Sequence, residues 1–106
     1  MFARHVTMQL RPTLAKEFPV MFEKEIVPLL KKQMGFVDEL LLVSPKTMES
    51  VAISLWETKS YAEIYNRELY PRIEKMVEKF IEGVPFIQNF EEKYATFHEI
   101  SILATV

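Results

Sequence analysis

Residues 51–62 read V-A-I-S-L-W-E-T-K-S-Y-A and predict a strand, a short polar turn and the start of a helix. In the strand two sets of side chains alternate with period two, so they face opposite sides of the sheet. The apolar set is Val51, Ile53 and Leu55, and the mixed set is Ala52, Ser54 and Trp56. We expect the apolar set to pack against helices. We expect the mixed set, which contains the lone tryptophan, to line a cavity. Thr58 or Ser60 is expected to cap the helix.

Composition limits the class of protein. The chain has 106 residues, which predicts a single domain over residues 1–106. A net charge of −2 and the lack of a basic run give no electrostatic basis for nucleic-acid binding. No cysteine is present, so disulfides and cysteine-ligated metals are excluded. No apolar run approaches the roughly 20 residues of a membrane span, and the first residues lack a signal-peptide pattern, so we expect a cytoplasmic protein.

The remaining elements follow from hydrophobic spacing and from helix breakers. Strands are predicted at Phe2–Leu10, 36–44, 51–56 and 86–97, and helices at 18–33, 60–69 and 71–82. In the first strand the apolar face is interrupted by Arg4, and the other face carries His5 and Thr7. Pro28 should kink the first helix, and Gly35 and Gly83 should end the helices before them. Residues 98–106 are apolar enough that we expect them to dock, with a partner subunit as one candidate surface.

The predicted order β-α-β-β-α-β is that of an α+β, ferredoxin-like unit with a four-stranded antiparallel sheet. Helices can cover one face of such a sheet. We expect the other face to carry His5, Ser54, Trp56 and part of the apolar second strand. A soluble monomer rarely exposes so large an apolar surface, so we expect a symmetric homodimer with the sheets face to face.

Three stretches resemble the antibiotic biosynthesis monooxygenase-like family of the dimeric α+β barrel superfamily. They are P-L-L-K-K-Q-M-G-F at 28–36, I-S-L-W-E-T-K-S-Y-A-E-I-Y at 53–65 and Y-P-R-I-E-K-M-V-E-K-F-I-E-G-V-P at 70–85. The resemblance implies a dimeric α+β barrel. It also implies either cofactor-free oxygenation of quinol-type aromatics or haem degradation.

The residues expected from the family are only partly present. Trp56 matches the tryptophan that both branches carry. The haem-degrading branch has an asparagine where we align His5 and an iron-ligating histidine where this chain has Asn66. The quinol-oxidising branch has an asparagine at the position of Ala52. Haem ligation by Asn66 is therefore not expected.

The candidate site combines this resemblance with the predicted faces. We assign His5 as a general base and Trp56 as the group that positions an aromatic ring. Substrate contacts are assigned to Thr7, Phe22, Ser54, Tyr61, Tyr65 and Asn66. No metal site and no cofactor are expected. The alternative for the aromatic residues is an ordinary core position, and for His5 a polar contact with the partner subunit.

Three hypotheses of function follow. The first is a homodimer that binds a small planar apolar molecule in a barrel pocket, with oxygen-dependent oxidation of an activated aromatic. The second is a non-enzymatic dimeric interaction module whose barrel is packed shut. The third is a haem-binding relative with altered ligation.

Overall fold

A computed structural model describes residues 1–97 of the chain. The strands are β1 (Phe2–Leu10), β2 (Phe36–Val43), β3 (Glu49–Trp56) and β4 (Ile81–Glu91). The α-helices are α1 (Glu17–Met21), α2 (Val27–Lys31), α3 (Lys59–Glu68) and α4 (Tyr70–Val77). Short 3₁₀ turns lie at Pro12–Leu14 and Glu78–Phe80. The docking predicted for residues 98–106 lies outside the described residues.

The sheet has the predicted ferredoxin-like topology. Its four strands lie in the order β2-β3-β1-β4, and each neighbouring pair is antiparallel. The α+β prediction with a four-stranded antiparallel sheet is therefore confirmed. All the helices follow the predicted connections, and within residues 1–97 none is long and apolar enough to cross a bilayer.

The first helical region is continuous but irregular. A π-helical turn, Phe22–Ile26, joins α1 to α2 immediately before Pro28. Proline has no backbone N–H, so it cannot bond the carbonyl four residues earlier, and the hydrogen-bond register shifts at that point. The sequence predicts a kink at Pro28, and the structure accommodates this proline with the π turn. The turn places Phe22 and Ile26 in the core.

The last strand and the helix before it differ from the prediction. The last strand begins at Ile81 and ends at Glu91 instead of covering 86–97. Gly83 therefore lies within β4, with φ of +70°, and does not end the helix. It stands beside a register shift between Thr7 and Gln9 in the β1–β4 pairing. Glycine adopts this left-handed conformation without steric cost, which explains a glycine at such a bulge.

The predicted facing of β3 is wrong. Ser50, Ala52, Ser54 and Trp56 are buried beneath the helices, whereas Val51, Ile53 and Leu55 are half-buried on the uncovered face. Hydrophobicity did not distinguish the faces because both carry apolar side chains. Trp56 is suited to the covered side because its indole N–H finds a hydrogen-bond acceptor there.

The uncovered sheet face carries apolar side chains on β2, β3 and β4, whereas β1 contributes His5, Thr7 and Gln9 to it. We call it the open face. Leu40 and Leu42 pair with Ile53 and Val51, and Phe86 and Phe90 extend the same surface onto β4. Leu40 on one edge strand and Phe86 on the other are 52% and 60% exposed, which is high for large apolar residues on one sheet face. This face lies opposite the helices, and Phe97 lies against it beside Leu40, Ile53 and Leu55.

Candidate functional site

A row of polar residues crosses the covered face of the sheet. Strand register places Asn89, Arg4, Ser54 and Glu39 side by side on β4, β1, β3 and β2. Arg4 is only 3% exposed and Ser54 5%. Charged side chains are almost never so buried without a partner, so this row is the feature of the core that most requires explanation.

Arg4 is held by an amide and by two aromatic rings. Its Nη2 donates to Oδ1 of Asn66 at 2.7 Å. The guanidinium carbon lies 3.9 Å from the ring centroid of Tyr70 and 5.4 Å from that of Tyr65, within the range of cation–π attraction. Arg4 forms no ion pair with any residue of the 1–97 segment. Its buried charge is therefore stabilised without being neutralised.

Trp56 is packed among aromatic rings and its polar atom is satisfied. The residue is fully buried, and Nε1 donates to Oγ of Ser54 at 2.9 Å. The ring of Tyr65 lies 4.7 Å away at an interplanar angle of 30°, and Phe36 meets the indole edge to face at 5.6 Å. These contacts fix the orientation of the indole before any ligand binds.

A small cavity lies between the sheet and the helices. Its polar wall is formed by Arg4, Glu39, Ser54, Tyr65 and Tyr70, and the rest of its lining is apolar, including Val6, Phe22, Ile26, Leu30 and Val77. Its volume is about 30 Å³. That is enough for water, whereas a benzene ring has been accommodated in a cavity of about 150 Å³ in another protein. An aromatic ligand would therefore require side chains to move.

A larger cleft adjoins the cavity at Arg4. The cleft has a volume of about 210 Å³ and lies between α3 and the strands β1 and β4. One wall of the cleft is formed by Lys59, Glu63 and Asn66 of α3. The opposite wall includes Phe2 of β1 and Asn89 of β4. Arg4 lines both the cleft and the cavity, so its guanidinium separates the outer space from the inner one.

Burial shifts the ionisation of the groups around Arg4. Burial raises the pKa of the Glu39 carboxyl from 4.5 to about 8, against the opposing effect of Arg4. Burial also raises the pKa of Tyr65 and of Tyr70, and Arg4 again opposes the shift. The Tyr70 hydroxyl is buried and bonds to none of the residues in the described region. At pH 7 these groups are mainly neutral, so the charge of the cavity is that of Arg4.

The structure brings together some of the residues predicted for the site. Phe22, Ser54 and Tyr65 line the cavity, and Asn66 lines the cleft. Trp56 lies behind them, against Tyr65 and Ser54. Tyr61 does not line the cavity. Its ring packs on Gly35, where an added Cβ would collide with it.

His5 and Thr7 lie on the other side of the sheet. They pair with Ile53 and Val51 of the open face, and the His5 ring meets Phe90 edge to face at 5.4 Å. The prediction that His5, Thr7 and Trp56 form one pocket is therefore wrong for a single chain, because the sheet separates them. The inward residue of β1 at this level is Arg4.

Sequence reasoning missed Arg4, Glu39 and Tyr70. The signal for Arg4 is the charge that interrupts an otherwise apolar strand face. Glu39 had no such signal, because only the β2–β3 register places it beside Ser54. Tyr70 was recognisable as an aromatic residue at the start of a helix, without an indication that it would face a cation.

The geometry gives little support to metal or haem binding. Asn66, at the position expected for an iron-ligating histidine, already accepts a hydrogen bond from Arg4. Across residues 1–97, no group of three histidine, cysteine, aspartate or glutamate side chains is placed to hold a metal ion.

Comparison with known proteins identifies the fold. No protein-family model and no curated protein matches the sequence. A monooxygenase from the gene ActVA-Orf6 of Streptomyces coelicolor, solved with nanaomycin D, matches with a TM-score of 0.75 at 13% identity, over 89% of this chain and 88% of that chain. SnoaB, a cofactor-independent oxygenase from Streptomyces nogalater solved as a point mutant, matches with a TM-score of 0.73 at 14% identity, over 90% and 95%. A putative antibiotic biosynthesis monooxygenase from Bordetella bronchiseptica matches with a TM-score of 0.73 at 14% identity, over 88% and 97%. This chain therefore has the ferredoxin-like fold of the antibiotic biosynthesis monooxygenase structures.

Proposed function

We propose that this protein binds a small planar apolar molecule between its sheet and its helices, and that it oxidises an aromatic or quinol-type substrate with molecular oxygen and without a bound cofactor. The observation that carries the proposal is the cavity itself. It combines an aromatic and aliphatic lining with a few convergent polar groups, which is the usual composition of a ligand site. The likeness in fold to cofactor-independent oxygenases supports the reaction class.

The reaction requires no reductant besides the substrate. A phenol with a free para C–H reacts with O₂ to give a quinone and water, so the phenol supplies all four electrons. One oxygen atom enters the ring and the other leaves as water. The protein would need to bind the ring and accept the phenolic proton.

Glu39 is our candidate for the proton acceptor. It lines the cavity, and burial raises its pKa to about 8, so only a minority of molecules carry the Glu39 carboxylate at pH 7, but that carboxylate would be a stronger base than an ordinary one. His5, the base predicted from sequence, lies across the sheet. Tyr65, backed by Trp56, would form the aromatic wall for the substrate ring.

A second candidate function is a non-enzymatic interaction module. The specific observation in its favour is the cavity volume of about 30 Å³, which is too small for a ring without rearrangement. In that case the polar row would serve only to position the sheet and α3. The two candidates differ in whether the cavity opens for an aromatic ligand.

We also propose that a second copy of the chain covers the open face. The argument is the extent of exposed leucine and phenylalanine side chains there, which a monomer in water rarely displays. Opposed sheets would complete the dimeric α+β barrel expected from the sequence. A cytoplasmic location also remains a prediction.

The test uses native mass spectrometry followed by an aerobic assay with 1-naphthol. A homodimer is expected, and 1-naphthol should be converted to 1,4-naphthoquinone with one O₂ consumed per quinone formed. Glu39→Gln should abolish most of the activity, whereas Glu68→Gln, which removes an exposed carboxylate of α3 that lines neither the cavity nor the cleft, should not. Binding without turnover would leave a ligand-binding protein. Absence of both would exclude this proposal and leave the interaction module.

Two further measurements separate the alternatives. Trp56→Ala should weaken binding of 1-naphthol in a variant that still folds, and unchanged affinity would contradict the placement of the ligand. Titration with haemin, followed by absorbance, tests the haem-binding hypothesis. We expect no shift of the Soret band.

A further inference from the structure

The cleft beside Arg4 is an asymmetric space with a cation at its inner end. Lys59 and Glu63 stand on its outer rim and pair with each other at 3.8 Å, with both side chains mostly exposed. Such a pair largely neutralises itself and contributes little to a ligand. Farther in, the amides of Asn66 and Asn89 flank Arg4. The one charge without a counter-charge among the described residues of this space is therefore that of Arg4.

The Arg4 guanidinium has hydrogen-bonding capacity to spare. It has five N–H donors, and one hydrogen bond, to Asn66, is made with the described residues. Tyr70 covers a face of the guanidinium at 3.9 Å, which leaves the edges, where the N–H groups point, for a ligand. An unpaired buried cation costs free energy that a bound anion would recover. The cation is thus arranged to receive an anionic group within the plane of its fork.

We infer that the ligand of this site is an aromatic carboxylate whose carboxylate is bound by Arg4 at the junction of the cleft and the cavity. This inference rests on the proposed function, because it assigns the ring of the ligand to the space around that junction. A carboxylate matches the planar guanidinium fork and can accept two parallel hydrogen bonds. A phosphate dianion would require more than this single uncompensated charge.

The size and lining of the cleft agree with this class of ligand. Its volume of about 210 Å³ exceeds the roughly 150 Å³ that holds a benzene ring. Phe2, Ala62 and Ile87 provide apolar contacts beside the polar floor. A single ring therefore fits with its carboxylate inward, and a second fused ring, as in the test ligands below, would extend towards the rim at Lys59 and Glu63. Deeper entry requires Arg4 or Phe22 to move.

The test compares two ligands that differ in charge, 2-naphthoate and 2-naphthalenemethanol, by isothermal titration calorimetry at pH 7. We expect 2-naphthoate to bind at least about tenfold more tightly, as a charge-assisted hydrogen bond in a desolvated site predicts. Arg4→Met should reduce this ratio to about one while the neutral alcohol still binds. Arg67→Met is the matched control, because it removes the same charge from an exposed position next to Asn66 and should preserve the preference.

The outcomes separate this inference from the proposed function. Equal affinity of the wild-type protein for both ligands would overturn the carboxylate assignment and leave ring binding intact. Failure of both to bind would overturn the two together. Loss of the preference in Arg67→Met would show a general charge effect and also overturn the assignment.

A second variant and an NMR measurement on the wild-type protein keep the inference testable if Arg4→Met does not fold. Arg4→Lys keeps the charge without the fork and should bind 2-naphthoate more weakly than the wild type while retaining some preference. In NMR spectra of the wild-type protein, 2-naphthoate should shift the side-chain amide signals of Asn66. Unchanged Asn66 signals at saturating ligand would overturn the location.

Discussion

Arg4→Met should leave the protein at least as stable as the wild type, because the free-energy terms that hold Arg4 in the core nearly cancel. Removing an ion from water costs several kcal/mol even after relaxation. In return, the hydrogen bond to Asn66 contributes about 1.5–3 kcal/mol, and stacking on Tyr70 about 2 kcal/mol. Arg4 therefore contributes little net stability in the absence of a ligand.

The methionine variant gains a favourable term and loses little. An apolar side chain of similar length at this buried position contributes about 1.5–3 kcal/mol by leaving water. Asn66 is exposed, so its oxygen can bind water once Arg4 is gone, and no buried acceptor is left unsatisfied. We expect the free energy of unfolding to rise by between zero and about 2 kcal/mol.

Urea unfolding, followed by the fluorescence of Trp56, measures this difference. Protein concentration is held constant between variants because unfolding of a dimer depends on it. Leu10→Ala is the control, since Leu10 is fully buried on the same face of β1 and its truncation should cost about 2–5 kcal/mol. A loss of about 3–5 kcal/mol in Arg4→Met would refute the reasoning, because it would show that Arg4 is a structural residue.

Three further predictions concern pH, assembly and the two glycines. Because burial raises the pKa of Glu39 to about 8, the folded state binds the proton of this carboxyl more tightly than the unfolded chain does. The contribution of Glu39 to the free energy of unfolding is therefore greatest below about pH 4.5 and is lost as the pH rises through about 8. In urea titrations the wild type should therefore lose stability relative to Glu39→Gln between about pH 5 and pH 8. A difference in the free energy of unfolding that stays constant over this pH range would contradict the burial of the Glu39 carboxyl. If the wild type is the proposed homodimer, Ile53→Lys on the open face should give a monomer in sedimentation velocity, whereas Ile64→Lys, on the exposed side of α3, should not. A dimer in both variants would place the interface elsewhere. Gly83→Ala should lower the free energy of unfolding by about 1–2 kcal/mol because of its left-handed backbone alone. Gly35→Ala should lower it clearly more, because the added Cβ would also strike the Tyr61 ring. Equal decreases in Tm for the two variants would exclude that collision.

The candidate site could be predicted from sequence only in part. Trp56, Ser54 and Tyr65 were correctly grouped, because Ser54 and Trp56 share one face of a strand and Tyr65 follows on the next helix. Arg4, Glu39 and Tyr70 were missed because their meeting depends on strand register and on the start of α4. Residues from three separate elements form that contact, and no local pattern in the chain encodes it.

The sequence by itself determined the order of the elements and their type. Three local patterns carry this information, and backbone sterics and side-chain direction set them. They are the period-two alternation in β1 and β3, the helical spacing with breakers at Pro28 and Gly35, and the hairpin between β2 and β3. Only the tertiary structure decided which face of the sheet the helices cover. Alternation divides a strand into two sets but does not orient them, and here both sets contain apolar residues. The helices cover the face where Ser54 satisfies the indole of Trp56 and where Asn66, Tyr65 and Tyr70 surround Arg4. On the open face polar side chains such as His5 and Thr7 lie among apolar ones such as Ile53 and Leu40.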